Sequence, residues 1–173
     1  SRSWQADGEP RARHAALAAD HAALVDAFTR LAEATGEARW ITEAIATADT
    51  MLDWFWDPDH GGLYTTAEDA EALIVRQKDL ADNATPSANS LAATGLLRLA
   101  ALTGEARYRH QAEQILQLVG GIVAGAPTAF GRLFAAVDMW RAGITEIAVV
   151  GDRPDLVATV HARYLPNAVL AWG

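Results

Sequence analysis

The sequence predicts a mainly α-helical fold made of stacked helical hairpins, followed by a small strand–helix–strand unit. Three observations support this prediction: an eleven-residue segment that recurs 68 residues later, apolar side chains at helical spacing, and a β-branched run and a second strand candidate near the C-terminus. Hydrophobic residues make up 51% of the 173 residues, which is enough for one domain with a substantial core.

The recurring segment reads RLAEATGEARW at residues 30–40 and RLAALTGEARY at residues 98–108, with eight of eleven positions identical. Each copy contains Thr-Gly, and glycine can adopt the left-handed conformation that ends a helix. A second helix begins almost at once, so each copy is predicted to be the turn of an antiparallel helical hairpin. Such hairpins bury their apolar faces by stacking on neighbours, in a solenoid or a closed (α/α) toroid.

Apolar side chains at intervals of three, four and seven residues predict which face of each helix points inward. For the first helix these are Leu17, Leu24, Phe28 and Leu31. For the helix after the first Thr-Gly turn they are Ile41, Ala44, Ala48, Leu52 and Phe55, and for the helix after the second they are Tyr108, Ala112, Ile115, Val119 and Ile122. For a fifth helix from about Pro127 they are Phe130, Leu133, Phe134, Val137 and Trp140.

The tail is predicted to form a strand, a helix and a second strand, in the segments TEIAVVG, DRPDLVATVHARYLP and NAVLAWG. Such a unit is typical of a single crossover. We therefore predict that residues 1–142 form helical hairpins and that residues 143–173 form a β-α-β appendage of the same domain.

The composition argues against several classes of partner and chemistry. A formal charge of −8 argues against nucleic acid and against an anionic membrane surface, because both need a basic face. The chain has no cysteine, which excludes disulfides, thiolate metal sites and thiol chemistry within it. It also has no run of eighteen apolar residues and no signal-like N-terminus. We expect a cytoplasmic protein without a cofactor.

One stretch breaks the helical pattern, RQKDLADNATPSANS at residues 76–90. At the offset of 68 residues, Asn89 aligns with His21, and both fall on faces predicted to point inward. Because buried polar groups need hydrogen-bond partners, the pair predicts a shared polar cavity. The alternative is that His21 is a core histidine and that Asn89 lies in the first turn of a helix capped by Thr85, with Pro86 at its first position.

The candidate site residues lie around these two positions. An imidazole and carboxylates near one cavity could perform acid–base chemistry, so the candidate catalytic residues are Asp20, His21 and Asp82. Charged and polar side chains that could hold an anionic or polyhydroxyl ligand give the candidate substrate-binding residues Arg76, Lys78, Asp79, Ser87 and Asn89.

A calcium loop is considered and set aside. Asp57, Asp59, Gly62 and Glu68 match its positions one, three, six and twelve, but position five is a glycine where an oxygen ligand belongs. We predict instead that a helix stops at Trp56 and that a Gly-Gly turn leads into an extended LYTT segment. No metal site is predicted.

The segments DWFWDPDHGGLYTT, LIVRQKDLADNATPSANSLAATGLLRLAALTGEARY and TEIAVVG together resemble the spermatogenesis-associated, thioredoxin-domain-containing proteins. The most specific part approximates the family pattern R-P-K-E-x-x-D-x-A-x-P-S-G-N-S. The matching residues are Arg76, Lys78, Asp82, Pro86, Ser87, Asn89 and Ser90. The departures are Gln77 for proline, Asp79 for glutamate, and Asn83 and Ala88 where glycine is usual.

This resemblance implies an N-terminal thioredoxin-like domain, missing from this chain, and an (α/α) toroid similar to N-acylglucosamine 2-epimerases and six-hairpin glycosidases. The chain would be an incomplete, later portion of that toroid. Two functions follow as expectations. One is a sugar-active enzyme with a polar funnel, and the other is a non-catalytic module that binds a ligand or docks the thioredoxin-like domain. A third possibility is that the polar stretch only ties the fold together through ion pairs.

Overall fold

The computed structural model describes residues 3–5, 11–13, 15–68 and 75–173. Within these residues the α-helices are α1 Ala18–Thr35, α2 Arg39–Phe55, α3 Ala88–Thr103, α4 Ala106–Val123, α5 Gly131–Ala142 and α6 Pro154–His161. A 3-10 helix, Pro127–Phe130, precedes α5. The strands are β1 Ser3–Gln5, β2 Arg11–Arg13, β3 Thr145–Val149 and β4 Ala168–Trp172. The predicted mainly α fold with C-terminal strands is confirmed.

Both predicted hairpin turns are present at the repeated glycines. Gly36 has φ 69° and Gly104 has φ 75°, and each donates its backbone N–H to a carbonyl 2.8 Å away in the preceding helix. This left-handed conformation, which glycine adopts at little cost, ends α1 and α3. The repeated sequence therefore marks two equivalent turns, α1–α2 and α3–α4.

The predicted crossover is also confirmed. Strands β3 and β4 pair in parallel, with Thr145 opposite Ala168 and Val149 opposite Trp172, and α6 connects them. At the other end of the chain, β1 and β2 form a short antiparallel pair that the sequence analysis does not predict.

Helix α3 is the centre of the core. It lies between α1 and α5 and is buried along most of its length, while α2 and α4 are the hairpin partners of α1 and α3. The contact with α1 is close at Gly95, where an added Cβ would lie 3.1 Å from Val25 Cγ1. Small side chains are therefore needed where α1 and α3 meet.

This close contact explains an error in the predicted inward face of α1. The buried residues are the smaller ones, Ala18, Ala22, Val25, Thr29 and Ala32. Leu24 and Leu31 were expected to be inside but are 46% and 36% exposed. A short distance between helix axes admits small side chains only, so the larger apolar residues of α1 turn away from α3.

The other predicted faces are correct in most positions. On α2 and α4 the predicted residues Ala44, Ala48, Phe55, Tyr108, Ala112, Ile115 and Val119 are buried. The exceptions are the exposed Ile122, Phe134 and Trp140, while Met51, Ala136 and Met139 are buried in addition. None of the helices within the described ranges is long and apolar enough to span a membrane.

The N-terminal ends of α1, α3 and α5 lie at one end of the molecule, which we call the amino end. Two connecting segments join them there, residues 56–68 and 75–87. Ala18 N–H donates to Thr65 O at 3.2 Å, and Thr65 N–H donates to Gln77 O at 2.8 Å. The opposite end, where the last turns of α1 and α3 contact β4, is the carboxyl end.

Candidate functional site

The carboxylate of Asp57 is the centre of a buried network at the amino end. Asp57 follows α2 and is 3% exposed. Its Oδ2 lies 2.7 Å from Lys78 Nζ and accepts a 2.8 Å hydrogen bond from the Tyr64 hydroxyl. Its Oδ1 accepts the backbone N–H groups of Asp59, at 2.9 Å, and His60, at 3.2 Å.

These contacts determine the ionisation of Asp57. Burial alone would raise the pKa of the carboxyl, but the hydrogen bonds from Lys78, Tyr64 and the two backbone N–H groups hold that pKa well below its usual range. The hydrogen bond to Asp57 and burial together raise the pKa of Tyr64. The network therefore contains an ionised carboxylate and a neutral phenol at neutral pH.

The cations of the polar stretch are held by the same loop. Lys78 Nζ also donates to Gly61 O at 2.6 Å. The Arg76 guanidinium lies 4.2 Å from the centre of the Tyr64 ring and donates to Thr66 O at 2.8 Å. Arg76 and Lys78 therefore fix residues 61–66 through backbone carbonyls and one aromatic face.

Asn89 joins this loop to the central helix. Its side chain is fully buried, with 0% exposure. Its Oδ1 accepts Leu63 N–H at 2.8 Å, and its Nδ2 donates to Leu63 O at 3.1 Å and to Asp79 O at 2.9 Å. Gly62, with φ 79°, lies beside it, and an added Cβ there would be 3.1 Å from Asn89 Oδ1 and 2.7 Å from Leu118 Cδ2. The side-chain amide of Asn89 therefore bonds to both the N–H and the C=O of Leu63, as the backbone of a neighbouring β-strand would.

Asp82 holds the starts of two helices. Its Oδ1 accepts Ser87 N–H at 2.9 Å, and its Oδ2 accepts Arg132 N–H at 2.8 Å and Leu133 N–H at 3.3 Å. A carboxylate is favourable there because unpaired N–H groups and the helix dipole give a helix start positive character. The cap of α3 is Ser87, whose Oγ accepts Ser90 N–H at 3.1 Å, so the predicted cap at Thr85 is wrong by two residues.

The first hairpin contributes Asp20 and His21 at the start of α1. Asp20 Oδ2 accepts Leu17 N–H at 2.8 Å. His21 Nδ1 lies 3.2 Å from Leu17 O, and the imidazole is 5.2 Å from the Phe55 ring. Both side chains are partly buried.

The structure thus divides the predicted site residues into three groups. Arg76, Lys78 and Asn89 belong to the network around Asp57, Asp82 and Ser87 hold the starts of α3 and α5, and Asp20 and His21 lie at the start of α1. Asp79 has an exposed side chain and contributes its backbone carbonyl. His21 and Asn89 occupy equivalent repeat positions but have different partners. Their catalytic or substrate-binding roles stay predictions.

The sequence analysis did not identify Asp57 and Tyr64 as partners of the polar stretch. Asp57 was considered as a calcium ligand, yet its two oxygens accept hydrogen bonds from protein groups. α2 ends at Phe55, and Gly61 and Gly62 turn the chain, as the predicted helix stop and Gly-Gly turn require. Trp56 and Leu63 form an antiparallel bridge across this turn, which was not predicted. In the described residues, no group of three or more His, Asp or Glu side chains could hold a metal ion. The sequence feature that could have identified these partners was an acid-rich loop a short distance before the cations Arg76 and Lys78.

Known proteins similar to this chain include spermatogenesis-associated protein 20 of Homo sapiens, which is 34% identical over 157 residues. The protein of the same name in Mus musculus is 32% identical over 157 residues. An uncharacterized protein of Caenorhabditis elegans is 26% identical over 149 residues. These matches cover 86–87% of this chain but about one fifth of each relative. No protein-family model matches the chain. The chain is therefore homologous to one part of spermatogenesis-associated protein 20.

Proposed function

We propose that this chain is a non-catalytic helical module of a larger protein related to spermatogenesis-associated protein 20, and that its polar stretch holds the module together. The observation that carries the proposal is the ion pair of the buried Asp57 with the partly buried Lys78, at 2.7 Å. Around it, side chains from residues 76–90 bond to the protein's own backbone.

Polar groups at the amino end already make internal hydrogen bonds, so few of them are available to bind a substrate. Both polar atoms of Asn89 are engaged at 0% exposure, and the oxygens of Asp82 accept three backbone N–H groups. A general acid or base must come within about 3 Å of the atom it protonates or deprotonates. Asn89 and Asp82 would have to break internal hydrogen bonds first, at about 1–3 kcal/mol for each buried group left unpaired.

The exposed face of α1 supports a place in a larger helical assembly. Leu24 and Leu31 are seven residues apart and lie on the same side of the helix. In this proposal the face packs on further hairpins of an (α/α) toroid, of which residues 1–142 are a part and to which residues 143–173 belong as one domain. The module would then support the thioredoxin-like domain that the resemblance implies. A cytoplasmic location stays a prediction.

His21 favours a second candidate, a sugar-active site of the epimerase or glycosidase type. It is partly exposed, and because its Nδ1 lies against Leu17 O, its Nε2 is left for proton transfer. In this candidate Asp20, His21 and Asp82 act on the substrate. The side chains that would hold hydroxyl groups are Arg76, Lys78, Asp79, Ser87 and Asn89.

One experiment separates the two candidates. The chain is incubated with N-acetylglucosamine, N-acetylmannosamine, glucose or mannose, and unfolding temperature and epimer formation by NMR are measured. A non-catalytic module gives no epimer and no rise in unfolding temperature with any of the four sugars.

The sugar-active candidate predicts the opposite result. A sugar would raise the unfolding temperature or be converted, and both effects would disappear in His21→Ala and in Asp82→Asn. His110→Ala is the matched control, because His110 is an exposed histidine on α4. Conversion that persists in the control and is lost in the two site variants would overturn the non-catalytic proposal.

A further inference from the structure

The carboxyl end contains a cavity of about 300 Å³ where α1 and α3 face the loop between α6 and β4. Pockets for small molecules begin at about this size. Its apolar walls include Ile147, Val160, Leu165, Pro166, Val169 and Leu170. The cavity is therefore large enough for a small ligand with an apolar body.

The polar lining of this cavity contains three arginines, Arg30, Arg98 and Arg163, together with Glu33, His161 and Tyr164. Arg98 is 3% exposed, and its Nη2 donates to the Glu33 carboxylate. Its Nη1 makes a long hydrogen bond of 3.4 Å to Ala168 O, and its Nε is buried without an acceptor among the described residues. A buried donor without a partner is uncommon because it loses its hydration and gains nothing in return.

Glu33 compensates the charge of Arg98, and both of its oxygens are engaged, so it adds no free carboxylate to the cavity. One oxygen accepts from Arg98 and the other accepts Leu170 N–H at 2.9 Å. At the rim, Arg30 is paired with Asp26 at 3.1 Å. Arg163 is exposed and makes no ion pair with another described residue. The uncompensated charge of the cavity is therefore positive, in a chain whose formal charge is −8.

We propose that this cavity binds a small organic anion, a carboxylate attached to an apolar body. Arginine binds carboxylates through charge-assisted hydrogen bonds; Arg163 supplies this chemistry at the rim, and Arg98 lines the floor. Val160 and Leu165 supply apolar contact for the rest of the ligand. The proposal does not depend on the role assigned to the amino end.

Matched small molecules test the charge requirement. Phenylacetate and phenylacetamide have nearly the same shape, and only the first carries a negative charge. In titrations followed by 1H–15N NMR, phenylacetate should bind about tenfold more tightly, with shifts at residues around the cavity. Equal affinities, or no shifts at the cavity with phenylacetate, would overturn the proposal.

Acetate tests the apolar requirement. It has the carboxylate without the ring, so it should bind at least about tenfold more weakly than phenylacetate, since the apolar walls lose their contact. Acetate binding as tight as phenylacetate would show that the walls contribute nothing, and the proposed ligand class would be wrong.

A pair of arginine variants tests the position. Arg163→Gln should weaken phenylacetate binding about tenfold, since it removes a rim cation without disturbing the core. Arg153→Gln is the matched control, because Arg153 precedes the same helix α6 but pairs with Asp155 at 2.8 Å outside the cavity. Equal weakening in both variants would show that overall charge, and not this cavity, attracts the anion.

Discussion

The amino and carboxyl ends of the helical core each contain an ion pair with one buried member, Asp57 and Arg98, but they differ in how completely the polar groups are satisfied. At the amino end, Asp57 accepts three hydrogen bonds in addition to its pair with Lys78. At the carboxyl end, Arg98 pairs with Glu33 but keeps a buried Nε without an acceptor, beside a cavity.

A second guanidinium shows why the cavity matters. Arg76 at the amino end also has a buried Nε without an acceptor. Its guanidinium, however, lies over the Tyr64 ring, which stabilises a cation through its π face. The two arginines therefore differ in their surroundings: the Arg76 guanidinium has an aromatic face beside it, and Arg98 has a cavity beside it.

Breaking the amino-end pair should give the largest effect. Asp57→Asn leaves the partly buried Lys78 without its charged partner and should lower the free energy of unfolding by about 4 kcal/mol. Urea denaturation at pH 7 measures this change. Asp155→Asn is the control, because it removes one partner of an exposed pair and should leave the midpoint unchanged.

The same variant makes a prediction about pH. Since the folded-state pKa of Asp57 lies below its unfolded value of about 3.9, the ionised carboxylate stabilises the fold fully above about pH 5. This contribution is lost as the pH falls below that range. The difference in unfolding free energy between the wild type and Asp57→Asn should therefore shrink from pH 6 to pH 3. A constant difference would mean that Asp57 is not the stabilising anion.

The next largest effect should come from Asn89→Ala, which leaves the N–H and C=O of Leu63 and the C=O of Asp79 without partners. We expect a loss of about 3 kcal/mol in the free energy of unfolding. His21→Ala, at the equivalent position of the first hairpin, should cost about 1 kcal/mol because it removes mainly a partly buried contact with Phe55. Similar losses in the two variants would contradict the different roles assigned to them.

The repeated glycines provide a smaller and sharper test of the carboxyl end. Gly36→Ala and Gly104→Ala both place alanine in a left-handed conformation, at about 1 kcal/mol each. At Gly36 the new Cβ would also lie 2.9 Å from the Trp172 ring, whereas at Gly104 no atom lies within 4 Å. Gly36→Ala should therefore lower the free energy of unfolding by about 1 kcal/mol more than Gly104→Ala does, as measured by thermal or urea unfolding. Equal stability would mean that Trp172 moves aside freely.

The features that the sequence predicts are those that local chemistry determines. The Thr-Gly turns depend on one residue type and one conformation, and both copies have it. The crossover depends on β-branched runs around a helical segment, and it is also present. The inward face of α1 depends on how closely α3 approaches, and this distance cannot be read from the sequence of α1. Leu24 and Leu31 were therefore predicted on the wrong face.

The candidate site shows the same limit. The unusual composition of residues 76–90 marks the segment, but the partners of its cations lie in the loop at residues 57–66, which only the folded chain brings near. The Glu33–Arg98 pair was not predicted. Arg98 corresponds to Arg30 in the repeat, yet Arg98 is buried and Arg30 exposed. An arginine in the apolar run GLLRLAALTG was the available signal.

The contacts of β4 with α1 also have a consequence for biosynthesis. Leu170 N–H bonds to Glu33 across 137 residues of sequence, and the Trp172 indole bonds to Glu33 O across 139. At roughly 5–20 residues per second, the ribosome needs on the order of ten seconds to make that interval. The first hairpin is therefore made well before β4, and the end of α1 stays uncovered until this last strand has been translated.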